Sequence, residues 1–406
     1  MKVDLAIVGG GMVGASLCVA LAPLGLQIAL IEAVPHDSSS QPSFDERTTA
    51  LSNGSRRILD ALGVWQRVGS LATPIRKIHV SDQGHFGFAR IDAAEQGLAA
   101  MGYVLANREL GNALWERLKE SAGVKVFCPA RVSQITPGER VVALQVAHEG
   151  QQTDIQARLI VAADGAHSAV RSAFGVESLV RDYEQTAIIT TVLPQRFHDN
   201  VAYERFTPEG PLALLPLEGG RCALVLTIRH DAVQSALAWS DQEFLAQVQK
   251  RFGFRLGRFL KVGRRIPYPL SLSRAASLSS GRCVIIGNAA QGLHPIAGMG
   301  FNLGLRDAAS LAELIAESVG QEDADPGSAD LLARYNDWRN ADREGVIAFT
   351  DGLVRVFANP LGSVRRLRNL GLLAFDLLPP AKAALSRLST GGSGRVPKLA
   401  RGVPLR

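Results

Sequence analysis

Two distant glycine-rich segments are the parts of this 406-residue chain best suited to chemistry. Gly9, Gly11 and Gly14 form a G-x-G-x-x-G turn directly after an apolar run that is typical of a buried strand. The second segment, residues 287–302, lies far downstream and contains four more glycines before a long apolar stretch. Such turns at helix N-termini bind phosphate through backbone N–H groups. A ligand that needs both segments must be long, and we therefore predict FAD.

The first segment has the context of a dinucleotide-binding strand–turn–helix unit. Gly9 permits the tight turn, Gly11 lets the backbone approach the pyrophosphate, and Gly14 lets the helix of residues 12–22 pack closely. Glu32 follows the next apolar run, where an acidic side chain accepts hydrogen bonds from an adenosine ribose. A chance glycine turn is the alternative, and the strand, the helix and Glu32 together favour dinucleotide binding.

Two further apolar runs end in polar residues that could reach the same ligand. The run 159–163 is followed by Asp164 and Gly165, and the run 283–287 is followed by Asn288. Carboxyl ends of parallel strands are where such folds bind their ligands. The alternative for Asp164 is that it only caps the next helix.

The three segments, in this order, resemble the class A flavin-dependent aromatic hydroxylases over roughly residues 3–390. Asn288 departs from the broad family, which usually has an aspartate there; asparagine can still donate and accept hydrogen bonds but carries no charge. The ubiquinone-biosynthesis hydroxylases are the subgroup that the chain is most similar to, because they carry the same Gly-Asn-Ala-Ala-Gln…His-Pro-Ile-Ala-Gly run. Further similar segments are residues 44–47, 80–85, 183–185, 204–207 and 268–270.

The resemblance implies an α/β fold with a Rossmann-like FAD-binding domain, an interleaved β-sheet substrate domain and a C-terminal helical segment. The implied bounds are 1–75, 100–175 and 275–350 for the FAD-binding domain, 76–99 and 176–274 for the substrate domain and 351–390 for the helices. Residues 391–406 are rich in Gly, Pro and Arg, and we expect them to form a flexible tail.

The resemblance also implies the site residues, without any metal ligand. The cofactor-binding residues would be Gly9, Gly11, Gly14, Glu32, Arg47, Arg108, Asp164, Asn288, Gly298, Gly300 and Asn302. His294 and Pro295 would lie in the catalytic loop, with Pro295 beside the isoalloxazine. His294 could hydrogen-bond the substrate phenol or could simply be a packed loop histidine.

The implied reaction is a hydroxylation in which reduced FAD and O₂ form a C4a-hydroperoxide whose distal oxygen passes to a phenol ring. The expected substrate is 2-polyprenyl-6-methoxyphenol, hydroxylated at C1, with NAD(P)H or a protein electron donor as the reductant. Hydroxylation of another ring position, an FAD-dependent dehydrogenase or prenyl reductase, and a non-catalytic flavin-binding scaffold are the alternatives. Residues 180–235 alternate like strands and would form a wall over the flavin, with a proline breaking the run 212–217. Tyr203, Arg205 and Phe206 could face the pocket or the sheet surface.

Composition narrows the cellular setting. No run approaches about eighteen apolar residues, so we predict no transmembrane helix. The four cysteines are scattered without a C-x-x-C pair, which suits core positions and a reducing compartment, and no signal peptide precedes the strand at Val3. We therefore expect a cytoplasmic protein, with peripheral attachment to the inner membrane as an open question.

Positive charge is concentrated near the C-terminus. Residues 353–406 contain ten basic residues and one acidic residue, whereas the whole chain carries a net charge of +6. Within this segment leucines recur at helical spacing from Leu367 to Leu378, and we expect them to pack on the core with the arginines in solvent. The alternative is contact with an anionic membrane or with a protein assembly of ubiquinone biosynthesis. Nucleic-acid binding is not expected, because the charge lacks an accompanying pattern of aromatic residues.

Overall fold

The computed structural model describes residues 1–35, 38, 47–321, 324–359, 361–390 and 394–405. Residues 44–46 of the family-like segment 44–47 therefore lie outside the described residues. The α-helices are α1 (Met12–Leu21), α2 (Asn53–Ala61), α3 (Trp65–Val68), α4 (Asn107–Lys119), α5 (Ala169–Ala173), α6 (Val233–Ala238), α7 (Asp241–Phe252), α8 (Met299–Ser318), α9 (Ala329–Ala358), α10 (Gly362–Leu377) and α11 (Pro379–Thr390).

The strands in the first half of the chain are β1 (Lys2–Val8), β2 (Ile28–Ile31), β3 (Thr48–Ser52), β4 (Thr73–Ile75), β5 (Lys77–Asp82), β6 (Phe88–Asp92), β7 (Gly102–Ala106), β8 (Val124–Phe127), β9 (Ala130–Thr136), β10 (Val142–His148) and β11 (Gln151–Ala162). The later strands are β12 (Ser178–Pro194), β13 (Val201–Thr207), β14 (Gly210–Pro216), β15 (Cys222–Arg229), β16 (Phe259–Val262), β17 (Ile266–Ala275), β18 (Ser279–Ser280), β19 (Cys283–Ile285) and β20 (Gln291–Gly292).

The first sheet contains the strands that precede the predicted cofactor segments. Its order is β18-β19-β11-β1-β2-β8, with β9 and β10 extending from β11. The strands β19, β11, β1, β2 and β8 run parallel to their neighbours. The apolar side chains of β1, β2 and β19 are buried on both faces, as a covered parallel sheet requires, whereas Val126 of the edge strand β8 is exposed. Their carboxyl ends therefore meet at one edge, and the loops after β1, β11 and β19 leave from that edge.

Helices α1 and α8 pack side by side on this sheet. Gly304 of α8 permits the contact, because a β-carbon there would lie 2.9 Å from Cα of Gly287 and 3.1 Å from the Val13 side chain. Val13 of α1 and the loop after β19 therefore touch, so the two glycine-rich segments come together as predicted.

The second sheet has the order β20-β17-β12-β15-β14-β13-β5-β6, with β16 paired to β12. One face is covered by α7, whose Phe244 and Val248 pack against buried residues of β12, β14 and β15. Strands β5 and β6 join it although the chain between them and β12 builds much of the first sheet, which confirms an interleaved α/β fold. Pro216 ends β14 and does not interrupt it. A small third sheet has the order β3-β7-β4.

The C-terminal leucines are not packed as expected. Leu367 is 68% exposed and Leu377 is 79% exposed, with Leu370 and Leu378 also exposed. Helix α10 instead attaches to β5 and β6 through its polar side: Arg368 donates to buried Asp82 at 2.7 and 2.9 Å, and Asn369 and Asp376 bond the backbone of Gly87 and Arg90. The expectation that the leucines pack and the arginines stay in solvent was therefore wrong for these leucines and for Arg368. Helical spacing shows that the leucines lie on one side of α10. The ion pair between Arg368 and Asp82 turns the opposite side of the helix towards β5, so the leucines face outward.

The expectation of a flexible tail is also corrected. Leu399 and Ala400 are buried in the main core, and Trp338 donates its indole N–H to the Arg395 carbonyl at 2.7 Å. The Arg395 guanidinium lies over the Trp338 ring at 3.9 Å. Gly, Pro and Arg dominate the composition of residues 391–406, so the composition did not indicate that Leu399 and Ala400 would be buried. Nowhere in the described part of the chain is there a helix with the length and apolar character needed to span a membrane.

Candidate active site

The turn after β1 is built around positions that exclude side chains. Gly9 has φ +105°, and a β-carbon on Gly9 would collide with the Ala163 carbonyl at the end of β11. A β-carbon on Gly14 would collide with the Gly9 carbonyl. Gly11 caps α1, and its carbonyl accepts the Ala15 N–H at 2.9 Å. The first N–H groups of α1 thus lie at the sheet edge, where an anionic group is favoured.

Glu32 is held beside this turn. Its Oε2 accepts the Gly10 N–H at 2.5 Å, and its Oε1 accepts the Val34 N–H at 2.8 Å. The Trp115 indole closes the same corner by donating to the Gly10 carbonyl at 3.1 Å. Each carboxylate oxygen keeps further acceptor capacity for a hydroxyl pair such as that of a ribose. This geometry is compatible with the predicted contact between Glu32 and the adenosine ribose.

Asp164 lies at the next loop along the edge. Its Oδ2 accepts the Val170 N–H at 3.2 Å, so it does contribute to the start of α5. Its Oδ1 is buried and has no hydrogen-bond partner among the described residues. Buried polar atoms are nearly always paired in folded proteins, so this oxygen indicates a missing ligand.

Arg171 connects this loop to the one after β19, a role that the sequence did not indicate. Its Nη1 donates to the Ala289 carbonyl at 2.7 Å and its Nη2 donates to the Ala166 carbonyl at 3.1 Å. The available signal was its place at the end of the Asp-Gly-Ala-His-Ser-Ala-Val-Arg run. A buried guanidinium there ties two ligand loops together.

The loop after β19 is held from below by Asp307 of α8. Gly287 has φ +60°, and its N–H donates to Asp307 Oδ2 at 3.1 Å, as does the Gln291 side-chain amide at 2.7 Å. Asp307 Oδ1 accepts from Arg339 Nε at 2.8 Å. Asp307 and Arg339 are almost completely buried, whereas Asn288 is exposed. Contact between Asn288 and the ribityl region stays a prediction.

The Asp307–Arg339 pair belongs to a larger buried network between α8 and α9. Arg339 Nη1 also donates to Asp342 Oδ2 at 2.7 Å, and Arg306 Nε donates to the same oxygen at 2.8 Å. Burial opposes ionisation of Asp342, but Arg339 and Arg306 outweigh it and hold its pKa below the usual value. No individual member of this network was predicted from the sequence.

The start of α8 carries three of the predicted residues. Gly298 adopts a left-handed conformation, φ +61°, and a β-carbon there would lie 3.0 Å from that of Ala50. A β-carbon on Gly300 would meet open space. The buried Asn302 side chain accepts from Ser52 N and Ser55 Oγ, and donates to the Ala50 and Gly298 carbonyls. These four bonds use the full capacity of the amide, so the side chain fastens α8 to β3, and contact with the flavin stays a prediction for its backbone.

Arg47 and Arg108 lie near each other. Arg47 directly precedes β3, Arg108 follows β7 by two residues, and β3 pairs with β7 through Thr48 and Ala106. The Asn107 N–H donates to the Arg47 carbonyl at 2.9 Å, and the Arg47 guanidinium lies 5.3 Å from the centroid of the Tyr268 ring. Arg108 is the second residue of α4 and is exposed. Cofactor contact by either arginine stays a prediction.

His294 is buried in the loop between β20 and α8. Its Nδ1 accepts the Ile296 N–H at 3.3 Å, which assigns the proton of the neutral ring to Nε2. That Nε2 is buried without a partner in the described structure, and burial lowers the pKa of His294 to about 4. The ring packs edge-on against Tyr183, with centroids 5.3 Å apart. Neighbouring Pro295 is exposed and begins a short turn. His294 can therefore act as a neutral hydrogen-bond donor.

The second sheet turns a half-open, apolar face towards this loop. Two residues of β13 show which face of the sheet meets the loop. Phe206 packs in one cluster with Ile296 of the loop, and Ala202 packs in another cluster with Ala50, the neighbour of Gly298. Glu204 lies between them. Strand pairing aligns seven residues across this face, all apolar except Glu204 and all half-buried except Ala89: Ile266, Ile189, Val225, Ala213, Glu204, Val80 and Ala89.

Tyr203 and Arg205 lie on the other face of the same sheet. The Tyr203 ring packs edge-on against Phe252 of α7 at 5.3 Å, and Arg205 Nε donates to the Arg251 carbonyl at 2.9 Å. Of the three residues considered for the pocket, only Phe206 is on the side of the loop.

These features fit FAD. Three loops converge at one sheet edge, with a glycine turn, an acidic acceptor beside it and the N-terminus of α8 near the far end. Three buried polar atoms in these loops have no partner among the described residues: Asp164 Oδ1, Gln291 Oε1 and His294 Nε2. A ligand with both donors and acceptors along its length would satisfy them.

Comparison with known proteins decides the family. A family model described as an FAD binding domain matches residues 2–350. The chain is 38% identical to the ubiquinone hydroxylase UbiL of Rhodospirillum rubrum, over 99% of this chain and 93% of that protein. It is 32% identical to the 3-demethoxyubiquinol 3-hydroxylase of Escherichia coli, over 92% of this chain and 94% of that protein. The chain belongs to the FAD-dependent ubiquinone-biosynthesis hydroxylases.

A solved structure shows the same fold at greater distance. The p-nitrophenol 4-monooxygenase PnpA of Pseudomonas putida superposes with a TM-score of 0.79 at 19% identity, covering 96% of this chain and 98% of that one. This member of the ubiquinone-biosynthesis hydroxylases is thus an FAD-dependent aromatic-ring monooxygenase. O₂ and a reduced nicotinamide or a protein reductant are typical of the family.

Proposed function

We propose that this enzyme hydroxylates 2-polyprenyl-6-methoxyphenol at C1, on the way to ubiquinone. The observation that carries the proposal is the half-open apolar row across the second sheet, opposite the loop of residues 294–298. An apolar wall of this kind suits a ring that bears a hydrocarbon chain better than it suits a small acidic aromatic. The relatives named as acting on ubiquinone precursors support the same substrate class.

The protein's part in the reaction is to hold the cofactor, exclude water and place the ring. Glu32 and the turn at Gly9–Gly14 would hold the adenosine end, Asp164 and Asn288 the middle, and the start of α8 the flavin. Reduced FAD supplies the activation of O₂, by the route expected from the resemblance. The wall residues Ile189, Val225 and Ala213 keep the space over the loop apolar, which limits loss of the activated oxygen to water.

His294 is proposed to donate its Nε2–H to an oxygen of the substrate or the flavin. A neutral donor suits this position, because its low pKa keeps the ring uncharged near neutrality. His294→Ala should reduce the fraction of consumed reductant that ends in hydroxylated product. An unchanged product yield per reductant would remove His294 from the mechanism.

Lipid profiling tests the step itself. Cells lacking the gene, grown aerobically, should lose ubiquinone and accumulate 2-polyprenyl-6-methoxyphenol, as measured by mass spectrometry. Accumulation of a later, demethoxylated quinone would assign another ring position. Incorporation of label from ¹⁸O₂ by the purified protein would exclude the dehydrogenase and scaffold alternatives, since neither inserts oxygen.

We further propose that α10 rests on an anionic membrane, from which a polyprenyl substrate can be collected. The outward leucines Leu367, Leu370 and Leu377 supply apolar contact, and the net positive charge of residues 353–406 supplies attraction to anionic headgroups. The polar attachment of α10 through Arg368 and Asp82 leaves this leucine stripe facing outward.

Flotation with vesicles tests the membrane proposal. Wild-type protein should bind phosphatidylglycerol vesicles at low salt, and the double variant Leu367→Ser/Leu377→Ser should bind at least about tenfold more weakly. Leu260→Ser, which alters an exposed leucine on β16, is the matched control and should bind like wild type. Failure of wild-type protein to bind at low salt would contradict the proposal, and would leave a protein assembly as the partner of this surface.

A further inference from the structure

Glu204 is a carboxyl residue among apolar residues on the inner face of the second sheet. It is half-buried in the middle of β13, and the residues paired with it, Ala213 on β14 and Val80 on β5, are both apolar. No hydrogen bond or ion pair joins its carboxylate to any residue that the structure describes. Carboxylates in such surroundings are normally paired, because desolvating a charge is costly.

The position of Glu204 is fixed by its neighbours on the same face. Ala202 and Phe206, two residues away on either side, pack in clusters that contain Ala50 and Ile296. Ala50 adjoins Gly298, and Ile296 follows His294 by two residues, so both neighbours meet the loop of residues 294–298. Successive same-face residues of a strand are about 7 Å apart. Glu204 therefore faces the space between the sheet and the loop, where the substrate ring is proposed to bind.

We propose that Glu204 is a catalytic residue that accepts the hydroxyl proton of the substrate phenol while the ring is oxygenated. This inference rests on the proposed function and assigns the proton acceptor that the function needs. The loop of residues 294–298 offers His294 as a donor, which leaves Glu204 to act as the base on the opposite wall.

Hydroxylation para to the phenol oxygen needs O₂, two electrons and one proton acceptor. One atom of O₂ forms a bond to the ring carbon and the other leaves as water, with the two electrons supplied by reduced FAD. As the ring loses electron density its hydroxyl becomes strongly acidic; the O–H bond breaks, the proton passes to Glu204, and the electron pair becomes the second bond of a ring carbonyl. The ring proton then passes to solvent, its C–H electron pair restores the aromatic ring, and the former carbonyl oxygen takes back the proton held by Glu204, which gives the neutral hydroquinone and an ionised Glu204.

The carboxyl is suited to this exchange. Burial raises the pKa of Glu204 to about 7, so both protonation states are accessible near neutrality. General bases work best when their pKa lies near the working pH. An ordinary surface glutamate would be a weaker base.

Binding of a dead-end probe tests the proposal without turnover. The probe is 2-methoxy-4-nitrophenol, whose nitro group blocks the ring position to be hydroxylated and whose phenolate absorbs in the visible. It is added to FAD-loaded protein at several pH values from about 6 to 8, across which Glu204 passes from mostly protonated to mostly ionised, and difference spectra are recorded. Wild type and the control Glu218→Gln, which alters an exposed carboxyl in the turn between β14 and β15, should show phenolate at pH values where Glu204 is ionised. Glu204→Gln should bind the probe in its neutral form at the same pH.

Turnover supplies a second readout. Glu204→Gln should hydroxylate a short-chain 2-methoxyphenol at least about a hundredfold more slowly than wild type, the usual scale for loss of a general base. The ratio of wild-type to variant rate should shrink with fluorinated, more acidic phenols, which need less help from a base. Glu204→Asp should recover part of the rate.

The outcomes separate this inference from the proposed function. Equal phenolate bands in wild type and Glu204→Gln, or a rate ratio that does not vary with phenol acidity, would overturn the role of Glu204 while leaving the hydroxylase intact. Failure of wild type to bind or hydroxylate any such phenol would contradict the proposed substrate, and the role of Glu204 with it.

Discussion

Substitution of Asp307 by asparagine should both destabilise the protein and weaken FAD binding. The carboxylate accepts from three donors: the Gly287 N–H and the Gln291 amide on one oxygen, and Arg339 Nε on the other. Asparagine has a single acceptor oxygen, so its NH₂ group must face a donor on one of the two sides. Either the loop after β19 or the buried guanidinium loses its partner.

The magnitude follows from burial. Asp307 and Arg339 are each about 1% exposed, so the loss cannot be repaired by water. Removing one partner of a buried ion pair typically costs about 3–5 kcal/mol. Arg339 keeps its second bond to Asp342, and we therefore expect the lower end, about 3 kcal/mol. Weaker restraint of the loop should raise the dissociation constant of FAD about tenfold, which corresponds to about 1.4 kcal/mol.

Two assays measure these effects. Urea unfolding of the FAD-free protein gives the free energy of unfolding, and quenching of flavin fluorescence gives FAD affinity. Asp342→Asn is the matched control, because Asp342 belongs to the same network but makes no contact with the loop. It should be destabilised to a similar extent and should bind FAD like wild type.

Two results would contradict the expected effects of Asp307→Asn. An Asp307→Asn variant whose free energy of unfolding lies within about 1 kcal/mol of wild type would show that the buried pair is not a stabilising link. Equal loss of FAD affinity in Asp342→Asn would show that the effect on the loop is general softening and not the loss of hydrogen bonds to Asp307.

Three further predictions follow from the same geometry. Gly14→Ala should abolish stoichiometric FAD binding, because its β-carbon would collide with the Gly9 carbonyl; retained flavin absorbance after gel filtration would contradict this. Because burial raises the pKa of Glu204 to about 7, the folded state holds its proton more tightly than the unfolded state, and stability should fall as pH rises from about 4.5 to 7. Glu204→Gln should therefore gain stability over wild type across that range, up to about 3 kcal/mol at pH 8 by urea unfolding, and a pH-independent difference would refute the assignment. Truncation after residue 393 should lower the free energy of unfolding by about 2–4 kcal/mol, through exposure of the site that Leu399 and Ala400 fill, whereas a loose tail would cost nothing.

The local units of the cofactor site could be predicted because they are encoded locally. A strand, a glycine turn and a helix with Glu32 at a fixed distance leave few alternatives, and β1, α1 and β2 appear where the spacing places them. The meeting of the two glycine-rich segments was also predicted, since both needed the carboxyl edge of one parallel sheet. The family resemblance supplied the interleaving of the two main sheets, which periodicity alone does not specify.

Other features depend on contacts between residues far apart in the chain. Helical spacing grouped the C-terminal leucines correctly but could not tell that Arg368 would be drawn onto Asp82, 286 positions earlier. The composition of residues 391–406 suggested a loose end, yet Trp338 and the core accept a few of its residues. In both cases a polar contact at long range outweighed a local preference.

The sequence by itself therefore determined the cofactor and the strand–turn–helix units that bind it, because these depend on short spacings with a direct steric meaning. The family of the reaction was implied by the resemblance of the same segments to known hydroxylases. The tertiary structure alone decided which side chains work together. It joined Asp307 and Arg339 to the loop after β19, and it joined two loops through Arg171. It also placed Glu204 on the face of the second sheet that meets the loop of residues 294–298, whereas Tyr203 and Arg205 face α7. The face of a residue and the partner of a buried charge are set by how elements pack, and no local pattern in the chain records that packing.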